Sequence, residues 1–194
     1  MPHIARESLL TLEAYSKARK EFRAQALSHK KSRTVHLGEH VTLLFEDELT
    51  IRDQVQEMLR IEKTFEEAGI EDELAAYNPL IPDGTNFKAT MLIEYEDPAE
   101  RKAALSRLKG VEAKVYVQAA GFGKAYAHAD EDLPRENDEK TSAVHFLRFE
   151  LPPAAIAALK AGAALGMGID HPAYAVAIPA VDGATRGALV ADLR

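Results

Sequence analysis

Ala143-Val-His-Phe-Leu-Arg-Phe-Glu150, followed by Pro152-Pro153 and closed by Gly162, is the stretch that decides the fold class. The run is aromatic, β-branched and almost continuously apolar, which marks a strand covered on both faces. The proline pair opens a short helix and the glycine ends it. Two more strand-like runs follow, near Leu165 to Ile169 and Tyr174 to Ile178. The same order occurs upstream, with a strand near Lys88 to Tyr95, Asp97-Pro98 opening a helix with Glu100 in capping-box position, Gly110 ending it, and strands near Val111 to Gln118 and Lys124 to His128. Both copies finish on Ala-Tyr-Ala, at Ala125–Ala127 and Ala173–Ala175. The pattern reads as two βαββ units, 88–128 and 143–179, joined by the charged loop Asp130 to Lys140. Duplication and the chance likeness of two ordinary α+β units both produce it.

Working outward, Ser8 to Lys30 has helical spacing at Leu12, Tyr15, Ala18 and Phe22. Thr34 to Leu37 and His40 to Phe45 flank Gly38-Glu39, the signal of a two-residue hairpin. A long helix is expected from Thr50 to Ala68, stopped by Gly69, with Ile51, Val55, Met58, Leu59 and Phe65 in one arc and Glu62 near its middle. Tyr77 to Asn86 is a connector rich in turn formers, and Thr185 to Arg194 has the spacing of a short amphipathic helix. The expected fold class is α+β: an N-terminal helix, a β-hairpin and a long helix in 1–76, then the two βαββ-like units in a mostly antiparallel sheet. The whole of 1–194 is expected to form one domain.

Composition narrows the function classes. The 194 residues are 46% hydrophobic and 28% charged, enough to bury a core without staples, and none is cysteine. Disulfides, cysteine-ligated iron–sulfur clusters and thiol catalysis are therefore excluded, and a metal would need His and carboxylate ligands. The formal charge of −7 argues against nucleic-acid binding. Neither a signal peptide nor an apolar run of about 20 residues is present, so a cytoplasmic location is expected. The basic cluster His29-Lys30-Lys31-Ser32-Arg33 reads as a solvated helix end.

Nucleotide, zincin and serine-hydrolase motifs are missing, and Gly121-Phe122-Gly123 reads as a hairpin turn. Histidine and carboxylate pairs are what remain. His36 and His40 flank the expected tight turn and would point to opposite faces of the hairpin, which argues against a shared metal. His145 shares a strand face with Leu147 and Phe149, and Arg148 shares the other with Val144 and Phe146. Glu62 is the expected partner of one or the other, either as a structural ion pair or in a functional pocket. Asp170-His171-Pro172 reads as a turn in which Asp170 caps its own backbone, with a proton-shuttling or metal role as the alternative.

Several blocks resemble a bacterial family known only as domain of unknown function 3501. They are Lys31-Ser-Arg-Thr-Val-His-Leu-Gly-Glu-His-Val-Thr-Leu-Leu-Phe-Glu-Asp47, Gln56-Glu-Met-Leu-Arg-Ile-Glu62, Tyr77-Asn-Pro-Leu-Ile-Pro-Asp-Gly84, Asn137-Asp-Glu-Lys-Thr-Ser-Ala-Val-His-Phe-Leu-Arg-Phe-Glu150 and Asp170-His-Pro-Ala-Tyr174. Genes of that family tend to lie beside those of rubrerythrin-like and heterodisulfide-reductase-like iron–sulfur proteins. The resemblance therefore implies work in bacterial redox or peroxide defence.

Two readings follow. The one preferred on the resemblance is a non-catalytic accessory protein that binds an iron–sulfur or di-iron partner through an apolar patch, steered by the charged loop. The other is a metal-dependent enzyme or small-anion-binding protein with a pocket between the long helix and the sheet. That pocket would be lined by Glu62, His145 and Arg148 with Glu57, His36 or His171. Iron, manganese or zinc on His145 and Glu62, and an anion on Arg148, are its expected ligands.

Overall fold

The computed structural model describes residues 3–132, 135, 137 and 139–194. The N-terminal helix α1, Leu12–Lys31, is capped by the Thr11 hydroxyl, so it begins later than its periodicity suggests; Arg6–Ser8 form a separate 3-10 turn. Strands β1 (Thr34–Leu37) and β2 (Val41–Phe45) follow. Their register pairs Leu37 with Val41 and His36 with Thr42, which makes Gly38-Glu39-His40 a three-residue turn rather than the expected two. Gly38 supplies the left-handed conformation at φ 75°.

Helix α2, Glu48–Glu62, opens on a reciprocal capping box between Asp47 and Thr50. It is shorter than expected. Lys63 turns left-handed at φ 54°, and the Thr64 N–H donates to Leu59 O, a helix stop made without glycine. Gly69 ends nothing, since it lies inside the next helix, α3 (Glu67–Tyr77). The arc through Met58, Glu62 and Phe65 fails for the same reason: Phe65 lies beyond the break, and Ile61, Glu62 and Phe65 are all exposed. Ile51, Val55 and Leu59 do pack inward, with Ile4, Leu9, Ile70, Leu74 and Ile81, into a small core of their own.

The other face of α2 is polar and also buried, because α1 covers it with cations. Arg23 and Lys30 both reach Asp53 at 2.8 Å. Arg19 clasps Glu57 through two bonds of 2.8 Å, and the Tyr15 hydroxyl donates to the same carboxylate at 2.8 Å. The basic cluster at the end of α1 is thus no solvated helix end. His29 faces Asp47, and Arg33 is only 2% exposed. Its guanidinium donates to Phe45 O, Glu46 O and Ala188 O and pairs with Asp192.

The two βαββ units are β3 (Asn86–Ile93), α4 (Pro98–Arg107), β4 (Val115–Ala119) and β5 (Ala125–Tyr126), then, after the short β6 (His128–Ala129), β7 (Val144–Glu150), α5 (Pro153–Lys160), β8 (Leu165–His171) and β9 (Tyr174–Ile178). Helix α6, Gly183–Val190, closes the chain and is capped by Asp182. The strands form two antiparallel sheets, β1-β2-β3-β7-β6 and β5-β4-β8-β9. Corresponding strands of the units pair with one another, β3 with β7 and β4 with β8.

β5 and β6 are separated only by Ala127, so one extended segment edges both sheets. The β1–β2 hairpin takes the equivalent place beside β3. It meets β9 at Tyr174, whose hydroxyl donates to Leu37 O (2.7 Å) and accepts from His40 N–H (3.0 Å). The inner faces of both sheets share one core with α4, α5 and α6, containing Phe45, Phe87, Met91, Phe149, Val117, Met167, Leu105, Leu159 and Leu189. Alternation then sends the odd-numbered residues of β7 inward and the even-numbered ones outward. No helix among the described residues is long and apolar enough to cross a membrane.

Candidate functional site

The outer face of the first sheet carries an ordered row of charge. Lys88 on β3 is directly opposite Arg148 on β7, and Arg148 is directly opposite His128 on β6. On the other side the Glu46 N–H donates to Lys88 O, so Glu46 extends β2 and lies beside Lys88 on this face. Glu46, Lys88 and Arg148 of this row form the floor of a 680 Å³ cleft. One wall is the end of α3 with Tyr77, Pro79 and Leu80; the other is formed by Glu131, Asp132 and Arg135. Phe146 adds an aromatic surface, and the Arg135 guanidinium lies 4.6 Å from its ring centre.

Each charge in the floor is held differently. Arg148 presents Nε and Nη2 to the two oxygens of Glu131, both at 2.8 Å, and Nη1 to Glu150 at 2.7 Å. Lys88 turns its ammonium to the carbonyls of Pro79 (2.6 Å) and Ile81 (3.0 Å). Burial, reinforced by the Arg148 charge, pushes its pKa down against the pull of nearby carboxylates. Glu46 is 7% exposed and its carboxyl accepts from the hydroxyls of Thr50 and Thr90, with no ion pair among the described residues. Burial pushes the Glu46 carboxyl up, only partly opposed by those hydroxyls. The acid and the base on this floor are therefore shifted toward each other's range, a pattern common in sites that bind or transform a ligand.

Asp130 joins this surface to the interior. It adopts a left-handed conformation, φ 51°, which costs a non-glycine residue energy that its contacts must repay. One carboxylate oxygen accepts from the Phe146 N–H at 3.0 Å and from Arg135 at 3.3 Å. The other accepts from His145 Nδ1 at 2.6 Å. His145 is 0% exposed, and its Nε2 lies 3.0 Å from the Thr141 hydroxyl, itself buried. The resulting Thr–His–Asp chain resembles a nucleophile triad in its bonds. It faces the core rather than the cleft, so it braces the loop against β7.

The expected pocket residues are thus dispersed. Arg148 lies in the cleft; His145 is behind it on the inner face. Glu62 is exposed in the last turn of α2, and the partnership expected with His145 or Arg148 is made instead by Asp130, Glu131 and Glu150. Glu57 is committed to Tyr15, Arg19 and Arg60. His36 bonds Thr42, while His40 bonds Glu94 O and stacks on Tyr95 at 3.8 Å. His171 donates from Nε2 to Lys109 O and accepts the Ala173 N–H at Nδ1, which fixes its neutral tautomer and makes it the turn's internal brace. Asp170 does not cap that turn; it holds Lys124 and Tyr126 at 2.7 Å. Among the described residues no three His, Asp or Glu side chains gather as a metal set. The charged loop expected to steer a partner includes Leu133, Pro134, Glu136 and Asp138, which lie outside the described residues.

Glu46, Lys88 and Glu73, which also lines the cleft, escaped the sequence reading. The available signal was alternation: Thr42, Leu44 and Glu46 share one strand face, as do Lys88 and Thr90. It acquires meaning only once β2, β3 and β7 are known to be neighbours.

No functionally curated protein matches the chain. A crystal structure of a protein of unknown function from Burkholderia pseudomallei is 54% identical, with a TM-score of 0.95 over 100% of both chains. A family model described as "Protein of unknown function (DUF3501)" matches residues 3–193, and the chain belongs to that family.

Proposed function

We propose that this protein binds a small organic anion with an apolar body in the cleft over β3 and β7. The observation that carries the reading is the Arg148 fork on the cleft floor, filled by a carboxylate from Glu131, an exposed residue of the rim. A ligand carboxylate satisfies the same two parallel donors in place of Glu131. Two further features support it. Lys88 directly opposite Arg148 is a like-charge cross-strand pair, which costs stability and favours an added negative charge. The cleft volume suits a small metabolite, and Tyr77, Leu80 and Phe146 offer its apolar part a surface.

Titration of labelled protein with hexanoate tests this. Amide shifts should move in residues 75–80, 88–90 and 146–148, and Arg148→Met should abolish them. Shifts elsewhere, or an unchanged affinity in Arg148→Met, would reject the cleft as the site.

A second reading, the accessory protein of an iron–sulfur or di-iron redox partner, is favoured by one surface feature. Ile61 and Phe65, on either side of the α2–α3 break, are 59% and 71% exposed, and large apolar side chains so placed are common in protein contacts. Under this reading Ile61→Ser/Phe65→Ser loses co-purification with such a partner while melting unchanged.

A further inference from the structure

Charge accounting in the cleft goes beyond its affinity for an anion and rests on that reading. The lining contains three cations, Lys88, Arg135 and Arg148, and four carboxylates, Glu46, Glu73, Glu131 and Asp132. Arg148 is matched by Glu131 and Arg135 by Asp132, the latter through contacts of 2.6 and 2.7 Å. Lys88 is turned away to the Pro79 and Ile81 carbonyls. Among the described residues no cation is bonded to Glu46 or Glu73: the Thr50 and Thr90 hydroxyls hold Glu46, which the Lys30 charge reaches only through space, and the charges that reach Glu73 are those of Glu62 and Asp72, both negative. One end of the cleft therefore offers a cation to an anion, and another offers carboxylates with no bonded cation among the described residues.

We infer that the ligand is a zwitterion, its carboxylate on Arg148 and an amine at the far end of an apolar chain on the carboxylate of Glu46, with Glu73 adding negative potential. Spacing sets the length. Glu46 and Arg148 project from strands two apart, so their backbones are separated by about 10 Å. An α-amino acid, whose two charges are close together, is too short. An ω-amino acid with a chain of about six carbons bridges the two, and its methylenes lie along Tyr77, Leu80 and Phe146. Burial penalises the Glu46 carboxylate in the free protein, and an arriving ammonium offsets that penalty.

The test is a matched series on the intact protein, 6-aminohexanoate, hexanoate and hexylamine, measured by calorimetry. The expected result is 6-aminohexanoate binding about tenfold more tightly than hexanoate, the gain of one charge-assisted bond. The gain should vanish in Glu46→Gln, which keeps an acceptor for Thr90. Glu73→Gln, a change on a helix surface that leaves the fold intact, should reduce the gain several-fold. Hexanoate binding as tightly as 6-aminohexanoate, with both lost in Arg148→Met, overturns the zwitterion and leaves the anion cleft standing. Hexylamine binding most tightly, or none of the three binding up to about 10 mM, overturns both.

Discussion

The phenolic oxygen of Tyr174 stands 2.6 Å from where a Cβ on Gly38 would lie, and that contact closes the seam between β1 and β9. A real Cβ does not approach another heavy atom so closely, so residue 38 must be glycine for the tyrosine to reach Leu37 O and the His40 N–H. The left-handed φ of 75° makes the same demand independently. Gly38→Ala should lower the melting temperature, as should Tyr174→Phe, which leaves a donor and an acceptor at the seam unpaired at about 1–3 kcal/mol. Because both substitutions break one contact, their combination should cost less than the sum. Thermal melts of the two single variants and the double variant decide it, and strict additivity would show that the seam is not a unit.

The ion network between α1 and α2 predicts a particular acid limb. Bonds from Arg19, then Tyr15 and Arg60, hold the Glu57 carboxyl well below its usual range, outweighing the opposite push of burial. A carboxyl depressed in the folded state contributes stability that is present above its unfolded pKa, about 4.3, and disappears as pH falls through the folded value. Melting temperatures recorded from neutral pH downward should fall steeply below that point. Glu57→Gln should start lower at neutrality and fall less. An acid limb of equal steepness in the variant would remove Glu57 from the account.

Glu46 predicts the opposite slope. Its folded pKa is raised by burial, so its contribution is fully present below the unfolded value and is lost as pH rises through the folded one. Glu46→Gln keeps an acceptor for Thr90 and has no charge to bury, so it should be at least as stable as the parent at neutral pH. The parent should overtake it only in acid. A variant clearly less stable at neutral pH would mean that the ionised carboxylate is itself a structural requirement.

Punctuation explains what the sequence revealed of this architecture. Asp97-Pro98, Pro152, Gly110 and Gly162 mark the ends of α4 and α5 as expected, since caps and breakers act locally. The α2 break was hidden because Lys63, which carries no turn signal, adopts the left-handed conformation. The buried carboxylates Asp53 and Glu57 were hidden because periodicity registers an apolar face, whereas the face of α2 toward α1 is buried by cations. Arg148 was placed on the correct side of β7 by alternation alone. Its neighbours Glu46 and Lys88 depend on strand order, a long-range fact that no local pattern carries.

Arg33 shows how such long-range contacts concentrate. The end of α1, the end of β2 and the region of α6 meet at one guanidinium, with donors on three carbonyls and Asp192. Arg33→Met keeps the bulk but strands those acceptors and the half-buried Asp192, a loss of about 3–5 kcal/mol. Arg33→Lys should recover little, because a single ammonium cannot reach acceptors spread around a planar fork. Chemical denaturation compares the three proteins, and a lysine variant as stable as the parent would make charge rather than the fork the important feature.

Glu131 supplies the last test, because it competes with the ligand that the cleft is proposed to take. Its carboxylate occupies the Arg148 fork from an exposed position, so a binding anion must displace it, and an exposed ion pair is worth only about 0–1 kcal/mol. Glu131→Gln removes the competitor's charge while Glu150 still holds Arg148 Nη1 in place. Hexanoate should then bind up to about fivefold more tightly, most visibly at low ionic strength, where the internal ion pair is strongest. Weaker binding in Glu131→Gln would show that Glu131 shapes the site rather than guarding it.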